Sequence, residues 1–249
     1  MTETVARTAD SADRSAEERD LRVQLAACYR IADMCGMSEL VSTHITLRIP
    51  DTDTYLIKPQ SLLFDEVTAS SLVKVDLNGN VVSNNGYQPN RAGVAIHGSI
   101  LRARPDVNCV LHGHTPYATA VSSLEGGLLP LTQAALRFSS QVAYHNYGRA
   151  ATDPIECDLL AEDMADKTVM LMCNHGLLTT GKTVAEAFVA AFYLEKACQF
   201  QILAQSANKP LVFPAEELQG GSGRLAGGDE VAWPALVRKL DREDPSFRD

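Results

Sequence analysis

Two histidines flanking one glycine, His112-Gly113-His114, follow directly on an apolar run, Val107-Asn108-Cys109-Val110-Leu111. On a strand successive side chains alternate faces, so His112 and His114 point the same way and Gly113 leaves the opposite face bare. A helix would splay them apart at this spacing. Neutral imidazoles held side by side can bind a divalent metal, provided a third donor arrives from elsewhere in the chain. The competing reading is a pair of surface histidines capping a strand. A third donor exists in His175, because a second apolar run, Thr168 to Cys173, ends in Asn174-His175-Gly176, where the glycine lets backbone bend to aim a ligand. Taken alone, His175 reads as a loop histidine, and Cys173 offers a soft ligand as an alternative.

These motifs carry a resemblance. A His-x-His pair after an Arg-Pro-Asp-led strand (Arg104-Pro105-Asp106), followed about 60 residues later by Asn174-His175-Gly176-Leu177, resembles the class II aldolase/adducin family over Leu21 to Ser206. Lys58 to Phe64 (KPQSLLF) and Tyr144 to Gly148 (YHNYG) look like its bacterial branch nearest to adducin. The resemblance implies a divalent metal, zinc in most of the family's enzymes, on His112, His114 and His175. It also implies a homotetramer with sites at subunit interfaces, where aromatic or C-terminal residues of one chain can complete the next chain's pocket.

The sequence departs from the aldolase pattern at two places. The family's proton-moving glutamate, on the helix before the His-x-His strand, aligns with Gly93, which cannot accept a proton. The pairs that hold a sugar phosphate align with Thr43-His44, Gln60-Ser61 and Arg91-Ala92. Lys58, Arg91, His44, Gln60 and Ser61 therefore become the candidates for receiving a substrate carboxylate, with surface charge as the other reading of Lys58 and Arg91. Proton transfer falls to His145 and its neighbour Tyr144, or to Tyr147, although His145 among aromatics reads equally as a packed structural histidine. His97 reads as a core residue or as a support for the ligands.

The elements that position these residues follow from periodicity. Leu21, Leu25, Cys28 and Ala32 mark an amphipathic helix from Glu17 to Cys35, stopped by Gly36. His44 to Ile49 and Thr54 to Lys58 alternate as a hairpin, and Leu72 to Leu77 with Val81-Val82 flank a second turn at Asn78-Gly79. Helices are expected over Arg91 to Arg102, Pro116 to Ser123, Asp158 to Lys167 and, opened by Thr183-Val184-Ala185-Glu186, on to Ser206. Gln133 to Phe138 reads as a helical turn. Gln219 to Asp229 is a glycine-rich linker, and Val231 to Leu240 reads as a helix that folds over a neighbouring subunit. The expected organisation is a disordered tail (1–16), one domain (17–210) and a C-terminal linker and extension (211–249). The expected fold is α/β in α/β/α layers, a single domain with a central mixed or antiparallel sheet flanked by helices, class II aldolase-like.

Totals narrow the function. A 45% hydrophobic and 21% charged composition is that of a globular chain, and a net charge of −9 argues against nucleic acid and anionic membrane as partners. The first residues lack the apolar core of a secretory signal and no apolar run spans a bilayer, so a cytoplasmic protein is expected. The reading is a metal-dependent lyase that cleaves or decarboxylates a small non-phosphorylated hydroxy- or oxo-acid. Three histidines with open positions also suit iron(II), so one alternative is a non-haem oxygenase decarboxylating an aromatic 2-hydroxy acid, as in similar proteins of aminocoumarin pathways. A second alternative is a non-catalytic adducin-like binding module.

Overall fold

The apolar repeat around Leu25, Cys28 and Ala32 builds the first helix, α1 (Thr2–Met34), which buries all three side chains. Gly36, at φ +68°, ends it. The computed structural model describes residues 2–82, 85–138, 141–146, 148–219 and 228–249, with side chains from residue 16 onward. α1 runs back to Thr2 through the segment whose composition suggests disorder. Ala, Arg and Glu are good helix formers, so a helix anchored over its packed half extends through them at little cost.

Seven strands follow in one sheet ordered β3-β2-β1-β4-β7-β6-β5. They are β1 (His44–Ile49), β2 (Thr54–Ile57), β3 (Val73–Asp76), β4 (Cys109–Gly113), β5 (Val142–Asn146), β6 (Val169–Cys173) and β7 (Gly176–Gly181). All neighbours are antiparallel except β5 and β6. The second expected hairpin shrinks to a turn at Gly79 (φ +90°) and a single bridge, Val75 to Val81. Between the strands lie α2 (Arg91–Ala103), α3 (Pro116–Ser122), α4 (Gln133–Leu136) and α5 (Pro154–Met164). After them come α6 (Val184–Ser206), α7 (Glu216–Gln219) and α8 (Asp229–Glu243). α5 starts four residues before its periodicity suggests, because Asp153 caps it and Pro154 supplies a first-turn residue that needs no N–H partner.

Strand alternation divides the core into two layers. Ile45, Leu47, Cys109 and Leu111 face α1, α3 and α6, whereas Tyr55, Val75, Val110 and Met170 face α2 and α5. His44, Thr46 and His112 share the α2 face, since His44 pairs with His112 and Thr46 with Val110 across β1 and β4. The C-terminal helix packs within its own chain: the Trp233 ring lies 5.9 Å from Phe188, Leu240 and Phe247 are buried, and Arg30 pairs with Asp244 at 3.0 Å. Its apolar face finds cover on α1 and α6 of the same chain. Residues 220–227 of the glycine-rich linker lie outside the described residues.

Two buried polar side chains from the α1 side anchor the sheet edge that carries His44. The Tyr29 hydroxyl accepts the Ile45 and Lys58 amides (2.7 and 3.2 Å) and donates to the Ile45 carbonyl. Lys58, fully buried, donates to the carbonyls of Val41 (2.9 Å), Pro59 (3.1 Å) and Leu62 (2.8 Å), which uses all three ammonium protons. Burial lowers its pKa to about 8, which still leaves it charged at neutral pH. Lys58 is therefore a brace between two loops and not a group presented to a substrate. Lys58→Met keeps the volume but strands these acceptors, and should lower the unfolding free energy by about 2–4 kcal/mol. An unchanged urea midpoint would show that the ammonium bears none of this load.

Candidate metal centre

The three expected ligands converge. His112 is the next-to-last residue of β4, His114 directly follows the strand, and His175 lies in the two-residue turn between β6 and β7, where Asn174 takes φ +57°. Asparagine is among the few residues with a side chain that adopt this region readily. His114 Nε2 lies 3.0 Å from His112 Nε2 and 3.0 Å from His175 Nε2, and the donor set fits within 4.8 Å. Two second-site contacts settle which nitrogen faces inward. His112 Nδ1–H donates to the Leu177 carbonyl at 2.9 Å, and His114 Nδ1–H donates to Glu39 Oε2 at 2.7 Å. Both Nε2 lone pairs are thereby directed at the shared point. Lone pairs cannot meet without a cation between them, and a tetrahedral ion with bonds of about 2.0–2.1 Å would set such nitrogens about 3.3 Å apart. The residues fit a divalent ion.

Close backbone packing makes the convergence. A Cβ at Gly176 would sit inside contact distance of the Gly113 carbonyl, so only glycine lets the His175 turn approach the end of β4. Burial, followed by the neighbouring histidines, pushes the pKa of His112 well below the ordinary imidazole range. Burial likewise lowers His175 to about 4. Both are neutral ligands at neutral pH.

A second histidine pair abuts the triad. The His44 ring lies 5.2 Å from His112, and His44 Nδ1 is 3.0 Å from His97 Nε2, while His97 Nδ1 is 2.9 Å from Thr46 Oγ1. Burial is the main cause that lowers the pKa of both His44 and His97 far below the usual range. Gly93, one turn before His97 on α2, makes room for this arrangement: a Cβ there would lie 2.7 Å from His44 Cγ and 2.8 Å from His44 Cδ2. The space that a side chain at position 93 would take is here filled by the His44 ring.

The remaining candidates lie elsewhere. His145 is buried between Asp163 (Nδ1 to Oδ2, 2.8 Å) and Glu156 (Nε2 to Oε1, 3.0 Å). It ties β5 to α5, and both its nitrogens are engaged there, away from the three histidines. Tyr144 points to the opposite face, where its hydroxyl accepts the Leu128 amide at 3.0 Å and its ring covers Gly127. Tyr147 lies outside the described residues. Gln60 and Ser61 are exposed on a loop whose Gln60 amide bonds the Gln88 carbonyl (2.9 Å). Arg91, exposed at the start of α2, lines a cleft with Asn78, Arg102 and Asp158 that contains none of the histidines. Cys173 is outside the convergent group, which comprises the three histidines alone among the described residues. Sequence reasoning missed Glu39, 75 residues from His114, because a lone acid in a polar loop carries no periodic or spacing signal.

Comparison with known proteins places the chain in a family. The family model described as the Class II Aldolase and Adducin N-terminal domain matches residues 23–202. The fold is similar to that of an aldolase II superfamily protein from Pseudomonas syringae, with TM-score 0.88 and 44% identity over 94% of this chain and 96% of that one. It is also similar to the L-fuculose 1-phosphate aldolase of Glaciozyma antarctica PI12, with TM-score 0.84 and 30% identity over 95% and 94% of the two chains. Alpha-adducin of Rattus norvegicus is 42% identical over 200 residues, which are 79% of this chain and 27% of that longer protein. No helix among the described residues is long and apolar enough to cross a membrane.

Two outcomes are expected. Glu39→Ala should weaken Zn²⁺ affinity about 10–100-fold in competition with a chromophoric chelator, because His114 loses the carboxylate that orients it. The metal-free protein should also lose stability in mild acid. The unfolded chain protonates His44, His97 and His112 near the usual 6.5, whereas the folded chain resists. The unfolded state then binds more protons, so the unfolding free energy falls as pH drops below about 6.5 and keeps falling toward the His175 value of about 4. Urea midpoints at pH 7 and pH 5 measure this, and equal midpoints would contradict it.

Proposed function

Because the chain belongs to the class II aldolase and adducin family, we propose that it is a divalent-metal-dependent lyase acting on a small non-phosphorylated hydroxy- or oxo-acid, with His112, His114 and His175 as ligands. The observation that carries this reading is the convergence of three Nε2 atoms, 3.0 Å apart in sequence about His114, with the His112 and His114 tautomers set by Leu177 and Glu39. Such an ion, zinc in this reading, supplies a Lewis acid that polarises a carbonyl or carboxylate oxygen and steadies negative charge when an adjacent C–C bond breaks.

The chain's own residues then orient the substrate and move a proton. His44 stands against the ligands where Gly93 leaves no carboxylate, and its Nε2 makes no hydrogen bond among the described residues. Through His97 to Thr46 the hydrogen bonds can run in either direction, so His44 can present Nε2 as donor or as acceptor without a change in net charge. We assign to His44 the role expected of His145 and Tyr144. The reading of a substrate without phosphate is supported at α2, where Asn90 Oδ1 already accepts the Ala92 and Gly93 amides that would otherwise cradle an anion.

Similarity to alpha-adducin over 79% of the chain favours a second reading, a binding module without catalysis. The convergent triad weighs against it. The deciding measurement is metal content by mass spectrometry on protein purified without air or chelator, with His112→Ala as control. Near-stoichiometric zinc, absent from the variant, is expected, together with cleavage or decarboxylation of a member of a hydroxy- and oxo-acid panel that the variant does not turn over. Iron coupled to oxygen uptake would replace the lyase with an oxygenase. Wild type and variant both lacking metal would overturn the catalytic reading in favour of the module.

A further inference from the structure

One carboxylate on α6 reaches the segment that links the ligands. Thr115 occupies the cap position of α3, yet its hydroxyl caps nothing in its own helix. It donates instead to Glu195 Oε2 at 2.6 Å, while the Tyr117 amide donates to Oε1 at 3.1 Å and the Ala118 amide to Oε2 at 2.7 Å. The amides at the start of α3 are therefore satisfied by a side chain from a different helix, and its negative charge also suits the positive end of the helix.

The other side of α3 holds the second ligand segment. Thr119 Oγ1 donates to the His175 carbonyl at 3.3 Å, and the Ser122 carbonyl accepts the Asn174 amide at 3.3 Å. His114 directly precedes the clamped Thr115. A single short strut thus touches the chain on both sides of the site, and Glu195 fixes the strut to α6, itself packed on the sheet. The β4–β7 ladder ends at the Gly113–Leu177 pair, so His114 and His175 lie just beyond it, and α3 supplies a second tie between them there.

We propose that Glu195 is a positioning residue for the metal triad, holding His114 and His175 at their 3.0 Å separation through α3. The inference rests on the reading of the triad as a metal site, and it assigns Glu195 more than a share of fold stability. Gln201 provides the contrast. On the same helix it is buried and braces a loop in the same way, accepting the Leu129 amide at 2.7 Å and donating to the Gly127 carbonyl at 2.9 Å, but that loop carries no ligand.

The test compares full-length wild type with Glu195→Ala, Glu195→Gln, Thr119→Val and Gln201→Ala. Zn²⁺ affinity is read by chelator competition, ligand geometry by the visible spectrum of the Co²⁺-loaded protein, and stability by urea midpoint. Glu195→Ala should weaken Zn²⁺ affinity about 10–100-fold and alter the Co²⁺ spectrum. Glu195→Gln, which keeps an acceptor for the amides, should recover most of the affinity. Gln201→Ala should lose stability and keep both metal readouts, and Thr119→Val should lose affinity with little loss of stability. Wild-type affinity and spectrum in Glu195→Ala, or an equal metal defect in Gln201→Ala, would overturn the proposal and leave Glu195 a general brace. Should Glu195→Ala not fold, normal metal binding by Thr119→Val would overturn it. Wild type that binds neither ion would overturn the metal reading and this inference together.

Discussion

The cross-strand register of β4 is the constraint on which the chemistry depends. β4 pairs His112 with His44 of β1 on one side and with Leu178 of β7 on the other. A slip of one residue would turn His112 to the α1 face and His44 away from it, because side chains on a strand alternate with period two. Gly176 allows the last step, the approach of the β6–β7 turn to the Gly113 carbonyl. Ligands more than 60 residues apart in the chain thus meet through backbone geometry, and their side chains need little freedom of their own.

Burying imidazoles is favourable only when each nitrogen has a suitable partner, and the molecule uses two opposite solutions. At the candidate centre the partners are a carbonyl, one carboxylate and other imidazoles, and burial keeps His112 and His175 neutral, which a metal ligand requires. At His145 two carboxylates flank one ring, which ties β5 to α5. The same residue type becomes a ligand or a strut according to whether its neighbours accept or compete for protons. His44 and His97 belong to the first kind, and their contact with Thr46 continues the polar chain into the sheet.

Gly93 and His44 share one volume beside His112. With no side chain at position 93, α2 leaves space that the His44 ring fills, at distances that exclude even a methyl group there. The two positions are therefore coupled by volume: neither can change alone without a clash or a cavity beside His112. Lys58 illustrates a parallel change of role. A cation in a motif near the site looks available for an anionic ligand, but three backbone carbonyls already take its protons.

The sequence by itself determined the sheet's strongest elements, the helix stop at Gly36, the helix start at Thr183, and which three histidines could converge. These are local properties: periodicity, capping chemistry and the His-x-His and Asn-His-Gly spacings are each legible within a few residues. β5 and β7 were not, since β5 mixes polar and aromatic residues and β7, Gly176–Gly181, is short and glycine-bounded, so pairing partners rather than propensity make them strands. Only the tertiary structure decided that Glu39 meets His114, that Glu195 clamps α3, that the His44 ring fills the space at Gly93, and that Lys58 and His145 are braces. Most of those facts are distances between segments far apart in the chain, up to 80 residues for Glu195 and Thr115, and a carboxylate or cation looks the same in sequence whether folding gives it a ligand, a backbone amide or water as its partner.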